Sequence, residues 1–392
     1  MEICAELSPP ARVLLGPGPS NVHPRVLRAL STPLVGHLDP EFIRLMEETK
    51  TLLRSVFQTT NSLTLPISGT GSAGMETCFV NLVEPGDEVI IGVNGVFGTR
   101  MVDVVERCGG KPVIMQAPWG QVFTPDDVRS ALTQCPQPKL VAVIHAETST
   151  GAWQPLAEIS ELVHQAGALF LVDAVTSLGG CPLKVDEWKI DACYSGTQKC
   201  LSCPPGLSPV TFSPAAQDVL RNRTHKVQSW YLDLTLLEKY WGEERVYHHT
   251  APISMNYALR EALRLVLEEG LEARFRRHER NHLALAAGLD ALGMQLAAQE
   301  GCRLWMLNSV TIPDGIDEAA IRQQLLAEYN IEIGAGLGAF KGKVWRIGLM
   351  GESSTRSNVL LVLSALEAVL QQQGHRCPIG AGLHAAQEVY AA

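Results

Sequence analysis

The sequence predicts an α/β protein, with a large domain built on a mainly parallel sheet flanked by helices and a smaller C-terminal α/β domain. Three observations carry this reading. Short β-rich apolar runs alternate with amphipathic stretches from about residue 64 to 212, the order that gives a parallel sheet with helical crossovers. Runs such as Leu140 to His145 and Gly167 to Asp173 are apolar almost throughout, as strands covered on both faces are. Past Pro214 the alternation breaks, and from about residue 280 helix and strand patterns resume over a shorter length. We therefore expect an N-terminal arm over residues 1–20, a large domain over 21–271 and a small domain over 272–392, with a loose tail from about residue 373.

Composition narrows the partners. The chain has 392 residues, 46% hydrophobic and 19% charged, which is enough for two domains and the balance of a globular protein. Its net charge of −9 comes without a basic stripe, so nucleic acid is not an expected partner. The ten cysteines follow no repeated spacing, and the one C-x-x-C pair, Cys200 and Cys203, lacks the second pair that zinc needs. Reduced thiols and no metal are expected. Met1 to Arg12 has acids and prolines and no apolar centre, the longest apolar runs are too short for a bilayer, and the final Val389-Tyr390-Ala391-Ala392 is not a peroxisomal address. A cytoplasmic protein is the expectation.

Taken in order, Leu14 to Ser20 is a rigid non-helical entry, since Pro17 and Pro19 fix φ and Gly16 and Gly18 permit tight bends. Glu41 to Phe57 has helical spacing of its apolar residues. Leu65 to Gly74 then reads as strand, glycine-rich turn and helix start. Backbone N–H groups there, beside the hydroxyls of Thr70 and Ser72, make a phosphate cradle, or else the glycines serve packing alone. Glu88 to Val93 is a strand ending near Phe97, which either stacks on a bound ring or joins the core. A helix over Val102 to Cys108, a strand over Pro112 to Met115 and a helix start at Thr124-Pro125 follow. The Leu140 strand ends in Glu147-Thr148-Ser149-Thr150-Gly151, and the helix from Ile159 to Ala166 leads to the next strand.

That strand ends in Asp173, at the edge where open α/β sheets bind ligands. Ile190 to Tyr194 is a further short strand, after which Ser195-Gly196-Thr197-Gln198 turns the chain and presents Lys199. Lysine amines form Schiff bases with carbonyl compounds, and pyridoxal phosphate needs an acidic partner for its ring nitrogen as well. Lys199 alone could be a solvated surface lysine and Asp173 alone a cap; the pair at successive strand ends points to the cofactor. Tyr247-His248-His249-Thr250 precedes a long helix expected from about Ser254 to Arg277; adjacent histidines point apart, so a metal pair is not expected. Strands over Leu304 to Ile312, Ile331 to Gly334 and Val344 to Leu349 and a helix over Val359 to Gln372 complete the small domain. Arg346 lies mid-strand, held either for a structural carboxylate or for an anionic ligand.

Leu15-Gly-Pro-Gly-Pro-Ser20, Ser68-Gly-Thr-Gly-Ser72, Glu147-Thr-Ser-Thr-Gly151, Val172-Asp-Ala-Val-Thr-Ser-Leu-Gly-Gly180, Tyr194-Ser-Gly-Thr-Gln-Lys199, Tyr247-His-His-Thr250 and Arg346-Ile-Gly-Leu-Met-Gly351 occur in this order. Together they resemble the class V aminotransferases, most closely the alanine–glyoxylate and serine–glyoxylate (serine–pyruvate) branch, in register from about residue 12 to 372. The resemblance implies a fold-type I homodimer with shared active sites that uses pyridoxal 5'-phosphate to pass the amino group of alanine or serine to glyoxylate. It implies that Lys199 carries the cofactor and moves the proton, that Asp173 holds the ring nitrogen and that Thr148 faces the ring hydroxyl. It implies further that Phe97 stacks on the ring, that Thr70, Gly71, Ser72 and Gln198 hold the phosphate with Tyr247 and Thr250 of a second subunit, and that Arg346 grips the substrate carboxylate. Pro17-Gly18 would line the substrate mouth. Animal peroxisomal members have tryptophan at the place of Phe97 and serine at that of Thr148, changes that keep an aromatic face and a hydroxyl. The rival readings are a ureidoglycine–glyoxylate aminotransferase, a cysteine desulfurase using Cys302, and a non-catalytic binding protein.

Overall fold

The computed structural model describes residues 4–392, so the first three residues of the expected arm lie outside the described residues. Seven strands form the central sheet in the spatial order Leu63–Ser68, Leu207–Phe212, Ala192–Tyr194, Leu169–Asp173, Leu140–Ile144, Glu88–Val93, Lys111–Gln116. Leu207–Phe212 runs antiparallel to both of its neighbours, and the other pairings are parallel. The uniform hydrophobicity of these strands has a direct cause. Val141 and Val143 pack into one core, while Leu140, Ala142 and Ile144 pack into another on the opposite face.

Local chemistry sets the helix ends. Asp39 caps the helix Pro40–Phe57 by accepting from Glu41 N at 2.8 Å, and proline stands in its first turn. Thr124 and Asp127 form a reciprocal capping box at the start of Pro125–Gln134. The first of these helices packs on the helix Ile253–Glu269 and the strand Leu63–Ser68, and its Phe42, Met46, Leu53 and Val56 are buried, in the stripe that the spacing predicts.

A second, three-stranded antiparallel sheet has the order Leu307–Thr311, Val344–Gly348, Gly334–Ala335. Its core joins Val310, Trp345 and Ile347 to Leu285 and Leu289 of the helix Leu271–Ala291 and to Leu363 and Leu366 of the helix Arg356–Gln372. The N-terminal segment is tied into this region. Val13 pairs with Ile331, Leu15 is buried in the same core, and Leu15 O accepts from Gly348 N at 2.7 Å.

Three expectations need correction. The long helix expected from Ser254 to Arg277 is two helices, Ile253–Glu269 and Leu271–Ala291, because Gly270 between them adopts a φ of 83° that a helix cannot contain. The helix expected from Val102 begins at Val96, since the Glu147 carboxylate and the Ser149 hydroxyl supply acceptors for its first turn. The expected loose tail contains the helix Ala381–Ala391, in which Gly382, Ala386 and Tyr390 are buried. Tyr390 Oη donates to Asn281 Oδ1 at 2.7 Å, and the helix crosses Leu271–Ala291 where Gly288 faces Gly382.

A Cβ on Gly288 would stand 2.4 Å from Leu363 Cδ1 and 2.8 Å from the Gly382 carbonyl oxygen. Gly288→Ala must push these helices apart, an overpacking cost of about 1–3 kcal/mol. The urea midpoint of the variant should fall with the slope unchanged; an unaltered midpoint would mean the crossing is loose.

Candidate active site

A cavity of about 270 Å³ opens where Leu140–Ile144, Leu169–Asp173 and Ala192–Tyr194 end, at the carboxyl edge of the central sheet. Thr70, Gly71, Ser72, Phe97, Thr148, Asp173, Gln198 and Lys199 all line it. The amine and the carboxylate singled out in the sequence therefore face one space.

Asp173 is buried. Its Oδ1 accepts from Val175 N at 2.8 Å and its Oδ2 from the Tyr194 hydroxyl at 2.6 Å. Burial pushes the carboxyl up to about 7, and the two hydrogen bonds work against that rise. The chain leaves the sheet at Tyr194, crosses its carboxyl edge through residues 195–206 and returns as the antiparallel strand Leu207–Phe212, which places Lys199 over the cavity. Lys199 is half-buried, and its Nζ donates to Pro17 O. Burial, followed by the nearby Arg346 cation, lowers its amine to about 8. Gly18 has a φ of 107°, and a Cβ there would stand 2.6 Å from Lys199 Nζ, so only glycine lets the entry segment lie against the amine.

The helix Gly71–Leu82 points its first turn at the cavity. Thr70 makes no side-chain cap bond and no acidic residue occupies that turn, so the positive helix end stays available to an anion. Arg100 lines the same space, donates to Ser72 Oγ at 3.3 Å and lies 5.0 Å from the Phe97 ring centroid. The sequence reading missed it, although its position three residues after Phe97 on one helix was a usable signal.

Phe97 is positioned from beneath. Glu147, fully buried, accepts from Ser149 N at 2.9 Å, from the Ser149 hydroxyl at 2.6 Å and from Phe97 N at 3.2 Å. Burial holds its carboxyl above the usual range. Glu147 and Ser149 thereby seat the start of the aromatic-bearing helix. Gly95 must be glycine, because a Cβ would meet Glu147 Cδ at 2.4 Å.

Arg346 is buried mid-strand. Its Nε donates to Ala335 O at 2.7 Å and its Nη1 to Thr148 O at 3.2 Å. Among the described residues it has no ion pair and its Nη2 has no protein acceptor, so the structural-carboxylate alternative does not hold. Burial lowers the guanidinium to about 10, which Glu147 partly offsets. Tyr247 and Thr250 do not line the cavity of their own chain; both are exposed, and Tyr247 lies against His37 with ring centroids 5.2 Å apart. Cys302 is half-buried and burial raises its thiol, the reverse of what a reactive cysteine needs.

These donors fit pyridoxal phosphate. An anion cradle, an acid on the floor, an aromatic face and a lysine line one pocket, and the buried Gln198 Oε1 has no protein partner there. Sequence comparison agrees. The family described as "Aminotransferase class-V" matches residues 13–356. The (S)-ureidoglycine–glyoxylate transaminase of Bacillus subtilis is 45% identical over 98% of this chain and 97% of its own. The alanine–glyoxylate aminotransferase of Callithrix jacchus is 43% identical over 95% of this chain and 90% of its own. Among solved structures, an alanine–glyoxylate aminotransferase from Nostoc sp. superposes with a TM-score of 0.93 and 51% identity, covering 94% of this chain and 98% of its own.

Two outcomes follow from the lysine's setting. In cofactor-free protein, acylation of the Lys199 amine, mapped by peptide mass, should reach half its limiting rate near pH 8, because the ammonium loses its proton there; a midpoint near 10 would contradict the burial described. Gly18→Ala should weaken cofactor binding by roughly tenfold or more, corresponding to at least about 1.4 kcal/mol, in an absorbance titration.

Proposed function

We propose, since this chain belongs to the class V aminotransferase family, that it transfers the amino group of alanine or serine to glyoxylate, giving glycine and pyruvate or hydroxypyruvate. It is a transaminase and its cofactor is pyridoxal phosphate. The observation that carries the reading is Arg346, a buried cation without a carboxylate partner among the described residues, beside the cavity that Asp173 and Lys199 share. A small 2-amino or 2-oxo acid supplies the missing carboxylate. Glyoxylate appears in the names of all three relatives, and alanine in two of them.

When bound, pyridoxal phosphate supplies an aldehyde that takes up the amino group and a pyridinium ring that draws electrons from the substrate α-carbon. The chain's own groups do the rest. Asp173 would hold the proton of the ring nitrogen. Thr70, Gly71, Ser72 and Gln198 would hold the phosphate, Phe97 would cover the ring and Thr148 would meet its hydroxyl, all of them lining the one cavity. Arg346 fixes the substrate carboxylate and with it the direction of the α C–H bond, a positional gain that can be large. Lys199 would hold the cofactor, and its Nζ would take up and return the proton at the substrate α-carbon. With an amine that titrates near pH 8, a useful fraction is unprotonated at neutral pH. Glyoxylate then reverses the sequence and leaves as glycine. Gly18, at the mouth, admits substrate beside the amine.

The working form in this reading is a cytoplasmic homodimer in which Tyr247 and Thr250 of each copy complete the other's phosphate cradle. Supporting it, Trp230 is 63% exposed, Tyr247 57% and Val246 49%, a cluster of large side chains that water solvates poorly. The ten cysteines are all free, as in a reducing compartment. Among the described residues no helix is long and apolar enough to cross a membrane.

A second reading, ureidoglycine as the donor, is favoured by the 45% identical relative. A half-reaction screen separates them. Alanine, serine and ureidoglycine are each added to cofactor-loaded protein while its visible absorbance is followed, and glyoxylate and pyruvate are compared for restoring it. Alanine or serine should bleach the absorbance and glyoxylate should restore it; bleaching by ureidoglycine alone would replace the first reading with the second. Lys199→Ala should abolish turnover with folding intact. Arg346→Ala should raise the KM for the carboxylate substrates on the order of 100-fold.

A further inference from the structure

Asp173 and Tyr194 are paired residues on neighbouring parallel strands, so their side chains leave the sheet on the same face. That face is the one toward the cavity, and Tyr194 lines it with Asp173. The phenol ring is fully buried and its hydroxyl reaches a single partner, Asp173 Oδ2, at 2.6 Å. The ring cannot swing away. Gly74 of the helix Gly71–Leu82 packs so closely that a Cβ there would lie 2.0 Å from Ser208 Oγ and 3.2 Å from Tyr194 Cβ.

We infer that the Tyr194 hydroxyl is a positioning group for the transamination proposed above: by donating to Asp173 Oδ2 it keeps that carboxylate ionised and aimed at the ring nitrogen of the cofactor. The inference rests on that reading of the site. A carboxylate oxygen has two lone pairs, so with Val175 N on Oδ1 and Tyr194 on Oδ2 the carboxylate still has room for the ring N–H. The need for such a donor follows from the surroundings. Around Asp173 stand Lys199, which favours the charge, Glu147, which opposes it, and Cys78 and Cys193, whose buried thiols stay neutral. Burial outweighs the rest and brings the carboxyl to about 7 even with the hydroxyl in place. Without the hydroxyl a larger share of Asp173 is protonated at neutral pH, and a neutral acid cannot hold a pyridinium proton.

Tyr194→Phe removes one oxygen and keeps the ring. Loss of a hydrogen bond to a charged group moves the acid limb of the kcat profile up by about one to two pH units. At pH 7 kcat should fall about tenfold with KM changed less than about twofold, and activity should recover toward pH 9. The pH titration of the bound cofactor's visible absorbance, read without substrate, should move in the same sense. Tyr194→3-fluorotyrosine, a stronger donor of the same shape, should move both curves the other way. A loss that is uniform across pH, or two absorbance titrations that coincide with the unaltered protein's, would overturn the inference. Failure of the proposed function reads differently: the unaltered holoenzyme would show no bleaching with any donor, while its absorbance titration would remain measurable.

Discussion

A carboxylate that must stay charged in a dry place is the constraint on which this active site depends. Taking Asp173 out of water works against its ionised form, and the fold answers with oriented donors and not with an adjacent arginine. A full counter-ion at that spot would compete with a cofactor's ring nitrogen for the same oxygens. Two neutral donors leave the charge available, one from the neighbouring strand and one from the backbone of the turn that follows Asp173. The lone antiparallel strand contributes to the same end, because it forces the chain to cross the carboxyl edge of the sheet and so brings Lys199 over the acid.

The same economy of charge governs Arg346. Arg346 spends Nε and Nη1 on the carbonyls of Ala335 and Thr148, which anchors the guanidinium without neutralising it. Glu147 is near enough to ease the burial of that cation, yet its own oxygens are committed to Ser149 and Phe97. One buried acid thus seats the aromatic residue and tempers the arginine. Substitutions at Glu147 are expected to disturb Phe97 and Arg346 together, since both are hydrogen-bonded to the same short loop.

Much of this was legible in the sequence because strands and phosphate-binding turns are written in local patterns. The Asp173 strand is an apolar run with a carboxylate at its end, and the cradle is a run of small residues at a helix start. Arg346 could be placed mid-strand but not assigned a partner, because whether a carboxylate faces it depends on contacts between distant parts of the chain. Glu147 and Tyr194 were hidden for a related reason: each looks like an ordinary strand-end residue until the neighbouring element is in place. The break at Gly270 was missed because hydrophobic spacing continues across it, and only the backbone conformation separates the two helices. The terminal helix was misread as loose because it buries small residues, Gly382 and Ala386, beside Tyr390, against a helix whose Gly288 admits them, a fit that no local pattern announces.

The entry segment is fastened at both of its ends. Val13 and Leu15 are fastened to the C-terminal sheet region, whereas Ser20 donates from its amide to Gln198 O at 3.0 Å and from its hydroxyl to Lys199 O at 2.8 Å. Between these anchors Pro17 O meets the lysine amine. A strand pairing on one side and two hydrogen bonds on the other thus set where Pro17 and Gly18 pass the amine, so loosening either anchor would be felt at that nitrogen.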